Sequence, residues 1–406
     1  MPDPPAMPHL PTAYDVTAML DDLATLVAIE SPSADTAATA ACAEVVAELG
    51  VRLLGAAPER VVVAGRTHLR WRFGSQPTRV VLIGHLDTVW PLGTVARWPF
   101  AVHGERVTGP GVVDMKAGLV QLFHGLATVG TLDGVAVLVT SDEELGSPSS
   151  RELIEETARG AEAALVLEGT RAGTVKTARK GIAQYRLSVT GRAAHAGIEP
   201  HKGVNAGVEL AHQILAIAAL ADGAAGTTVT PTVAQAGTTA NTVPAGARLH
   251  VDVRAFDPDE LARVDAALAA LTPRVPGAAL QLERGPRRPA MPESASASLL
   301  PIAQQVAVEL GMAPLRPVAV GGGSDGNLTA GIGVPTLDGL GPVGGNAHAE
   351  GEWADVPEMP RRAALLAGLV SRLLDGAGPG RPVAGGAEPG RPGRPAGGGT
   401  GQAEGR

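Results

Sequence analysis

Short, uninterrupted apolar runs alternate with helical patterns in the first half of the chain. Four of these runs have the length and apolar content of buried strands: 61–63, 80–83, 135–139 and 164–167. Apolar residues recur at helical spacing elsewhere and predict helices at 14–49, 115–129 and 149–158. Strands that alternate with helices in this way are typical of an α/β domain with a mostly parallel sheet.

The pattern changes near residue 179, where polar and apolar residues begin to alternate as they do in half-buried strands. The elements predicted there are strands at 184–189, 229–235, 247–254 and 279–283 and helices at 204–220 and 259–271. Their order, βαββαβ, is that of a small α+β unit with one open sheet face. Helical patterns near 300–310 and 360–374 then resume the first domain, which predicts that the second domain is inserted into the first.

The predicted domain organisation therefore has three folded parts and a tail. Residues 1–178 and 291–375 would form the α/β domain, and residues 179–290 the inserted α+β domain. Residues 376–406 are rich in Gly and Pro and have almost nothing to bury, which predicts a disordered tail. The Pro-rich residues 1–12 are expected to form a loose arm.

Composition narrows the class of protein. The chain has 406 residues, of which 45% are hydrophobic and 18% charged, as in globular proteins. Only 2% are aromatic and the formal net charge is -8, so neither a nucleic-acid nor an anionic-membrane partner is expected. The single cysteine, Cys42, excludes an internal disulfide or a thiolate metal cage. No secretory signal or apolar run of transmembrane length is visible, so the cytoplasm is the expected location.

Acidic and imidazole side chains collect where the predicted strands end. They are His85 and Asp87 in GHLDTVW, Asp114 in GPGVVDMK, Asp142, Glu143 and Glu144 in TSDEELGS, and Glu168 in LVLEGT. Ligands of open α/β sheets bind outside the carboxyl ends of the strands. So many carboxylates in one place repel each other unless a cation compensates. Imidazole and carboxylate ligands suit Zn²⁺ or a related ion, and several carboxylates suit two ions that share a bridging group.

Each candidate ligand also has a structural interpretation. His85 and Asp87 could form a solvated strand exit with an Asx turn, and Asp114 could cap the helix that follows it. The acids of TSDEELGS could stabilise a helix N-terminus. Glu168 could be an ordinary loop acid, and His348 an ordinary loop histidine. All of these interpretations would have to hold together, which favours the metal site.

Five motifs, in this order, resemble the di-zinc aminoacylase and glutamate carboxypeptidase family of metallopeptidases: GHLDTVW, GPGVVDMKAG, TSDEELGS, LVLEGT and NAHAEGEWADV. Acetylornithine deacetylase, succinyl-diaminopimelate desuccinylase and peptidase T belong to the same family. The resemblance covers roughly residues 14–375 and includes GRAAHAG at 191–197. It implies a zinc-peptidase-like catalytic domain and an inserted lid and dimerisation domain. SDEELGS followed by SSRELI, together with the GGGSDGN loop, is most similar to the glutamate carboxypeptidases.

The resemblance also implies a role for each motif residue. Asp114 would bridge two divalent metal ions, Zn²⁺ or else Co²⁺ or Mn²⁺. The other metal ligands would be His85 and Glu168 at one ion and Glu144 and His348 at the other. Glu143 would be the general base, and Asp87 would bond the free nitrogen of His85. His195 would stabilise the oxyanion, often from the partner subunit, although it could also be a core or surface histidine.

Five residues are candidate substrate contacts: Arg288, Asn241, Gly322, Gly323 and Ser324. Arg288 resembles an arginine that grips the substrate's α-carboxylate, but with Arg287 it could equally form a basic linker. Asn241 resembles a substrate-binding lid asparagine. The glycine-rich loop could present backbone N–H groups to a carboxylate, or it could be a flexible turn in which a polar residue caps a short helix.

The predicted function is metal-dependent hydrolysis of an amide bond in an N-acyl amino acid or small peptide with a free carboxylate. Two alternative functions remain open. One is an N-acyl amino acid deacylase that does not prefer glutamate, and the other is a non-catalytic metal-binding scaffold. Glu143 argues against the scaffold, because a pure binder needs no proton shuttle beside its ligands. A homodimer formed through the lid is expected.

Overall fold

The computed structural model describes residues 14–376. The predicted arm at 1–12, and all of the predicted tail except its first residue, lie outside this range. The helices within residues 14–376 are α1 (Val16–Ala28), α2 (Thr36–Leu54), α3 (Thr94–Arg97), α4 (Ala117–Leu126), α5 (Arg151–Ala158), α6 (Ala206–Ala218), α7 (Pro258–Ala269), α8 (Leu300–Glu309), α9 (Gly326–Gly331) and α10 (Glu358–Leu374). No helix within residues 14–376 is long and apolar enough to cross a lipid bilayer.

Within residues 14–376 the strands form a central six-stranded sheet, two four-stranded sheets and a two-stranded sheet. They are β1 (Glu59–Val63), β2 (Arg66–Arg72), β3 (Val80–His85), β4 (Ala101–His103), β5 (Arg106–Thr108), β6 (Val135–Thr140), β7 (Ala163–Val166), β8 (Thr174–Arg179), β9 (Gly181–Thr190), β10 (Thr228–Ala236), β11 (Gly246–Ala255), β12 (Ala279–Arg288), β13 (Arg316–Val320), β14 (Thr336–Leu337), β15 (Gly344–Gly345) and β16 (Trp353–Asp355).

The central sheet has the strand order β1-β2-β6-β3-β7-β14. Strand β3 is parallel to β6 and β7, and β7 is parallel to β14, whereas β1, β2 and β6 pair antiparallel. Helices cover both faces: Val80 and Leu82 join the core formed with α1, α2, α4, α8 and α10, whereas Val81 and Ile83 join the core formed with α5 and α9. The predicted α/β class with a mostly parallel sheet is confirmed. The buried strand predicted at 61–63 is wrong, because β1 is an edge strand and Val62 is 64% exposed.

Strands β9 to β12 form one of the four-stranded sheets. Together with helices α6 and α7 they have the predicted order βαββαβ along the chain. The strands of this sheet pair antiparallel in the order β10-β11-β9-β12. Alternate side chains of β9 and β11, among them Leu187 and Leu249, pack with α6 and α7 in a core of their own. We call β9 to β12 and the helices between them the lid.

Two chain segments connect the lid to the rest of the molecule, and they run side by side. Arg179 and Met291 exchange both backbone hydrogen bonds, at 2.9 and 3.0 Å. The side-chain amide of Asn327 donates to the carbonyl oxygens of Lys180 and Pro289, at 3.1 and 2.8 Å. These hydrogen bonds hold the two connecting segments against each other and against α9.

Candidate metal centre

Three predicted ligands lie at the carboxyl edge of the central sheet. His85 is the last residue of β3, and Glu168 lies two residues beyond the end of β7. Glu144 lies in the 3₁₀ turn Glu143–Leu145, which follows β6. Because β3, β6 and β7 are parallel, their ends meet at the same edge.

Asp114 links these ligands to His348. It lies in the turn Val112–Lys116, just before α4, and it does not cap that helix, because no side-chain hydrogen bond caps the start of α4. One carboxylate oxygen is 3.1 Å from Nε2 of His85, and the other is 3.2 Å from Nε2 of His348. Burial opposes ionisation of this carboxyl, but the two imidazoles outweigh it and lower the pKa of Asp114.

The ligand atoms form two groups that share Asp114. One group contains His85, Asp114 and Glu168, the other Asp114, Glu144 and His348, and within each group the ligand atoms lie within 4.8 Å of one another. Imidazole nitrogen and carboxylate oxygen are donors that divalent first-row ions take, and a shared carboxylate is how two such ions are bridged. The residues present therefore fit a divalent-metal centre.

Asp87 holds a different partner from the one predicted. Nδ1 of His85 is 2.9 Å from the backbone carbonyl oxygen of Asp87 and 3.5 Å from its carboxylate. The Asp87 carboxylate accepts instead from the backbone N–H groups of Glu143 and Glu144, both at 3.2 Å. The backbone thus orients the His85 ring, and the carboxylate fixes the turn that carries a ligand and the predicted base.

Glu143 is buried and paired with Arg288. Its carboxylate accepts from Nη1 of Arg288 at 2.8 Å, while Nη2 donates to the Glu143 carbonyl at 3.0 Å and to the Ser147 hydroxyl at 2.7 Å. Burial raises the pKa of Glu143 to about 8, against the opposing effect of Arg288. Arg288 is only 7% exposed, so it is not a solvated linker, and its guanidinium is occupied by groups of the chain itself.

The glycine-rich loop is held by hydrogen bonds within the chain. Ser324 is fully buried, its hydroxyl donates to Asp338 at 2.6 Å, and its N–H donates to the side chain of Asn327 at 2.9 Å. The carbonyl oxygens of Gly322 and Gly323 each accept from Nη1 of Arg179 at 3.1 Å. A direct substrate contact by Ser324 stays a prediction, and both of its donors, the hydroxyl and the backbone N–H, bond within the chain.

His195 and Asn241 lie together on the exposed surface of the lid. The residue after His195 donates its N–H to the Asn241 carbonyl at 2.9 Å. Nδ1 of His195 accepts from the N–H groups of Gly197 and Ile198, both at 3.1 Å, so in the neutral ring the proton is on Nε2. Within residues 14–376 of this one chain, neither side chain bonds a metal-ligand candidate.

One buried carboxylate of the centre was not predicted. Glu352 is fully buried and accepts four hydrogen bonds. The donors are the backbone N–H groups of Gly111, Val113 and Asp114 and the indole N–H of Trp90, at 3.0, 2.8, 3.0 and 3.0 Å. The only sequence signal was its place in NAHAEGEWADV, four residues after His348.

A cavity of about 460 Å³ opens beside Asp114 and Glu168. Its walls include Val318 and Val320, and Lys176 lines it with its ammonium nitrogen 3.7 Å from the Glu168 carboxylate. The cavity therefore combines an apolar wall with a cationic group next to the ligand cluster.

Comparisons with known proteins identify the family of the chain. The family model described as peptidase family M20/M25/M40 matches residues 81–372. The chain is 33% identical over 306 residues to carboxypeptidase G2 of Pseudomonas sp. (strain RS-16), covering 71% of this chain and 72% of that protein. It is 30% identical over 159 residues to succinyl-diaminopimelate desuccinylase of Rickettsia typhi, covering 34% of this chain and 41% of that protein.

Solved structures share the fold. The aminopeptidase PepT of Bacillus cereus superposes with a TM-score of 0.70 at 20% identity, covering 89% of this chain and all (100%) of that one. The metallo-carboxypeptidase Sso-CP2 of Sulfolobus solfataricus gives 0.66 at 16% identity, covering 87% and 99%. The family match spans most of the chain and includes all five predicted metal ligands. This chain therefore belongs to peptidase family M20/M25/M40 and is a metallopeptidase of the carboxypeptidase type.

Proposed function

We propose that the protein hydrolyses the amide bond of an N-acyl amino acid or small peptide with a free carboxylate, with preference for a glutamate leaving group. The single observation that supports this best is the pair of ligand groups that share Asp114, with Glu143 buried beside them. A base next to two ligand groups suits acyl transfer to water, whereas a non-catalytic scaffold has no use for it.

Five side chains would hold two divalent ions, Zn²⁺ or else Co²⁺ or Mn²⁺: His85, Asp114, Glu144, Glu168 and His348. When bound, such ions supply the Lewis acidity that polarises a carbonyl and acidifies water.

The chain's own residues would move the proton and hold the developing charge. Glu143 would take a proton from the attacking water and deliver it to the leaving amine. Arg288 would keep the Glu143 carboxylate and its backbone in place, since its donors meet both. His195, protonated on Nε2, would donate to the oxyanion after the lid moves or from a partner subunit.

The cavity beside the ligands would receive the substrate's amino-acid side chain. Lys176 would pair with a carboxylate there, and the valines would contact the methylene groups. This arrangement favours glutamate over neutral residues, because a buried ion pair discriminates strongly against a substrate that lacks the charge. The alternative, a deacylase of other specificity, would use the same ligands without a requirement for Lys176.

A homodimer is proposed because helix α6 has an unpartnered apolar face. Val208 is 48% exposed and Leu215 is 72% exposed, and they lie seven residues apart on one side of the helix. Next to α6, strand β10 is an edge of the lid sheet, where an antiparallel copy could pair. Leu215→Asp should convert a dimer into monomers in sedimentation velocity, and an unchanged sedimentation coefficient would reject this surface.

A substrate panel tests the proposed function. N-acyl glutamates, N-acyl neutral amino acids and dipeptides with C-terminal glutamate should be assayed while metal content is measured on the same samples. We expect metal-dependent release of glutamate, abolished by a chelator and restored by Zn²⁺. Full metal content with no turnover on any substrate would favour the scaffold.

A further inference from the structure

The backbone that carries Asp114 depends on one distant side chain. The turn Val112–Lys116 is irregular, and its N-cap residue, Gly111, has no side chain of its own that could cap its start. The N–H groups of Gly111, Val113 and Asp114 are all directed at the carboxylate of Glu352, more than two hundred residues further along the chain.

Glu352 is unusually well satisfied for a buried acid. Each of its oxygens accepts two hydrogen bonds, and no Lys, Arg or His within residues 14–376 forms a salt bridge with it. Burying a carboxylate without a paired cation is costly unless several strong donors compensate. A glutamine would fill the same space, but its NH₂ group would meet two N–H donors. Both terminal side-chain atoms of residue 352 must therefore be hydrogen-bond acceptors.

The hydrogen bonds of Glu352 join three segments that supply metal ligands. Trp90 lies five residues after His85, Asp114 is the shared ligand, and His348 lies four residues before Glu352 itself. A shift of the Asp114 backbone would move both of its carboxylate oxygens, and with them both ligand groups.

We propose that Glu352 is a positioning residue that fixes the Asp114 backbone so that one carboxylate can serve both metal ions. This inference rests on the proposed function only in requiring that the ligand groups bind metal. Outer hydrogen-bond partners of metal ligands typically change metal affinity by about 10- to 100-fold when they are removed.

The test compares Glu352→Gln with Glu350→Gln, an exposed acid of the same loop. Zn²⁺ affinity and stoichiometry are measured by equilibrium dialysis on the metal-free full-length proteins, together with their melting temperatures and kcat at saturating Zn²⁺. We expect Glu352→Gln to bind Zn²⁺ at least about tenfold more weakly and to keep a lowered kcat at saturation. Glu350→Gln should match the wild type.

Trp90→Phe gives a second route if Glu352→Gln does not fold, because it removes one of the four donors and leaves the carboxylate. It should weaken Zn²⁺ binding about two- to tenfold, the net contribution of one ordinary hydrogen bond, because the other three donors still hold the carboxylate. Wild-type affinity in Trp90→Phe, or wild-type affinity and kcat in folded Glu352→Gln, would overturn the inference and leave the proposed function intact. A wild-type protein that binds no Zn²⁺ would overturn both.

Discussion

The turn that carries Asp114 and the lid loop that carries His195 differ in almost every physical respect. The turn is held by the fully buried Glu352, and its ligand group is assembled within one chain. The lid loop is exposed, with Ile198 72% exposed, and its own hydrogen bonds stay within the lid. The α/β domain thus presents an assembled set of candidate metal ligands, whereas His195, the proposed oxyanion donor, bonds none of them within residues 14–376.

We expect the largest loss of activity when a residue of the candidate metal centre is changed. Glu143→Gln keeps the size of the side chain and its contact with Arg288 but cannot accept a proton. We expect kcat to fall by about 10³- to 10⁴-fold with metal content unchanged, because general-base catalysis is lost while the ligands remain. Glu152→Gln, an exposed acid at the start of α5, serves as the control. Near-normal turnover in Glu143→Gln would reject its role as base.

The corresponding change in the lid should lower kcat without lowering the metal content of the protein. His195→Ala removes the oxyanion donor, so kcat should fall by about 10²- to 10³-fold. Metal content and melting temperature should stay at the wild-type values because His195 is exposed. His201→Ala, an exposed lid histidine, is the control. A loss of bound metal in His195→Ala would contradict the separation of the two regions.

Mixing the two inactive variants shows where His195 acts. If His195 acts from the partner subunit, an equal mixture of Glu143→Gln and His195→Ala should regain about a quarter of wild-type activity, since half of the dimers would be mixed and each would have one complete site. No recovery from verified mixed dimers would place His195 in its own chain's site.

Arg288 belongs to the lid strand β12 but donates hydrogen bonds to Glu143 and Ser147 of the α/β domain. Lysine has a single donor nitrogen, so it cannot occupy both positions from which Nη1 and Nη2 of Arg288 reach Glu143 and Ser147. Arg288→Lys should therefore lower kcat by about 10²-fold with little change in KM, as expected when a catalytic group is misplaced. Arg287→Lys is the control. A rise in KM with unchanged kcat would instead support a direct grip on the substrate carboxylate.

A smaller and more selective effect is expected in the cavity. Lys176→Met keeps the length of the side chain but removes the charge. KM for glutamate substrates should rise by roughly 10- to 100-fold, the value of one charge-assisted hydrogen bond, while neutral substrates of the same variant are hardly affected. An equal change for both substrate classes would exclude Lys176 as the determinant of acidic specificity.

The parts that sequence could predict are those set by local pattern. β3, β6 and β7 are continuous apolar runs, and the ligands at their ends follow from the parallel sheet. Strand β2, RTHLRWR, was not predicted, because its polar residues interrupt the apolar pattern of the two buried apolar residues Leu69 and Trp71. Arg70 meets its ion-pair partners Glu59 and Glu156 only in the folded chain. Glu352 could not be assigned for the same reason, since all its donors come from distant segments.

One carboxylate, that of Asp114, belongs to both ligand groups. The most direct test is to measure metal per chain for the wild type, Asp114→Ala and His348→Ala after loading with Zn²⁺ and removing the excess. The wild type should retain about two ions, His348→Ala about one and Asp114→Ala almost none, because only Asp114 belongs to both groups. If Asp114→Ala retains as much metal as His348→Ala, or still turns over substrate, Asp114 does not serve both ligand groups.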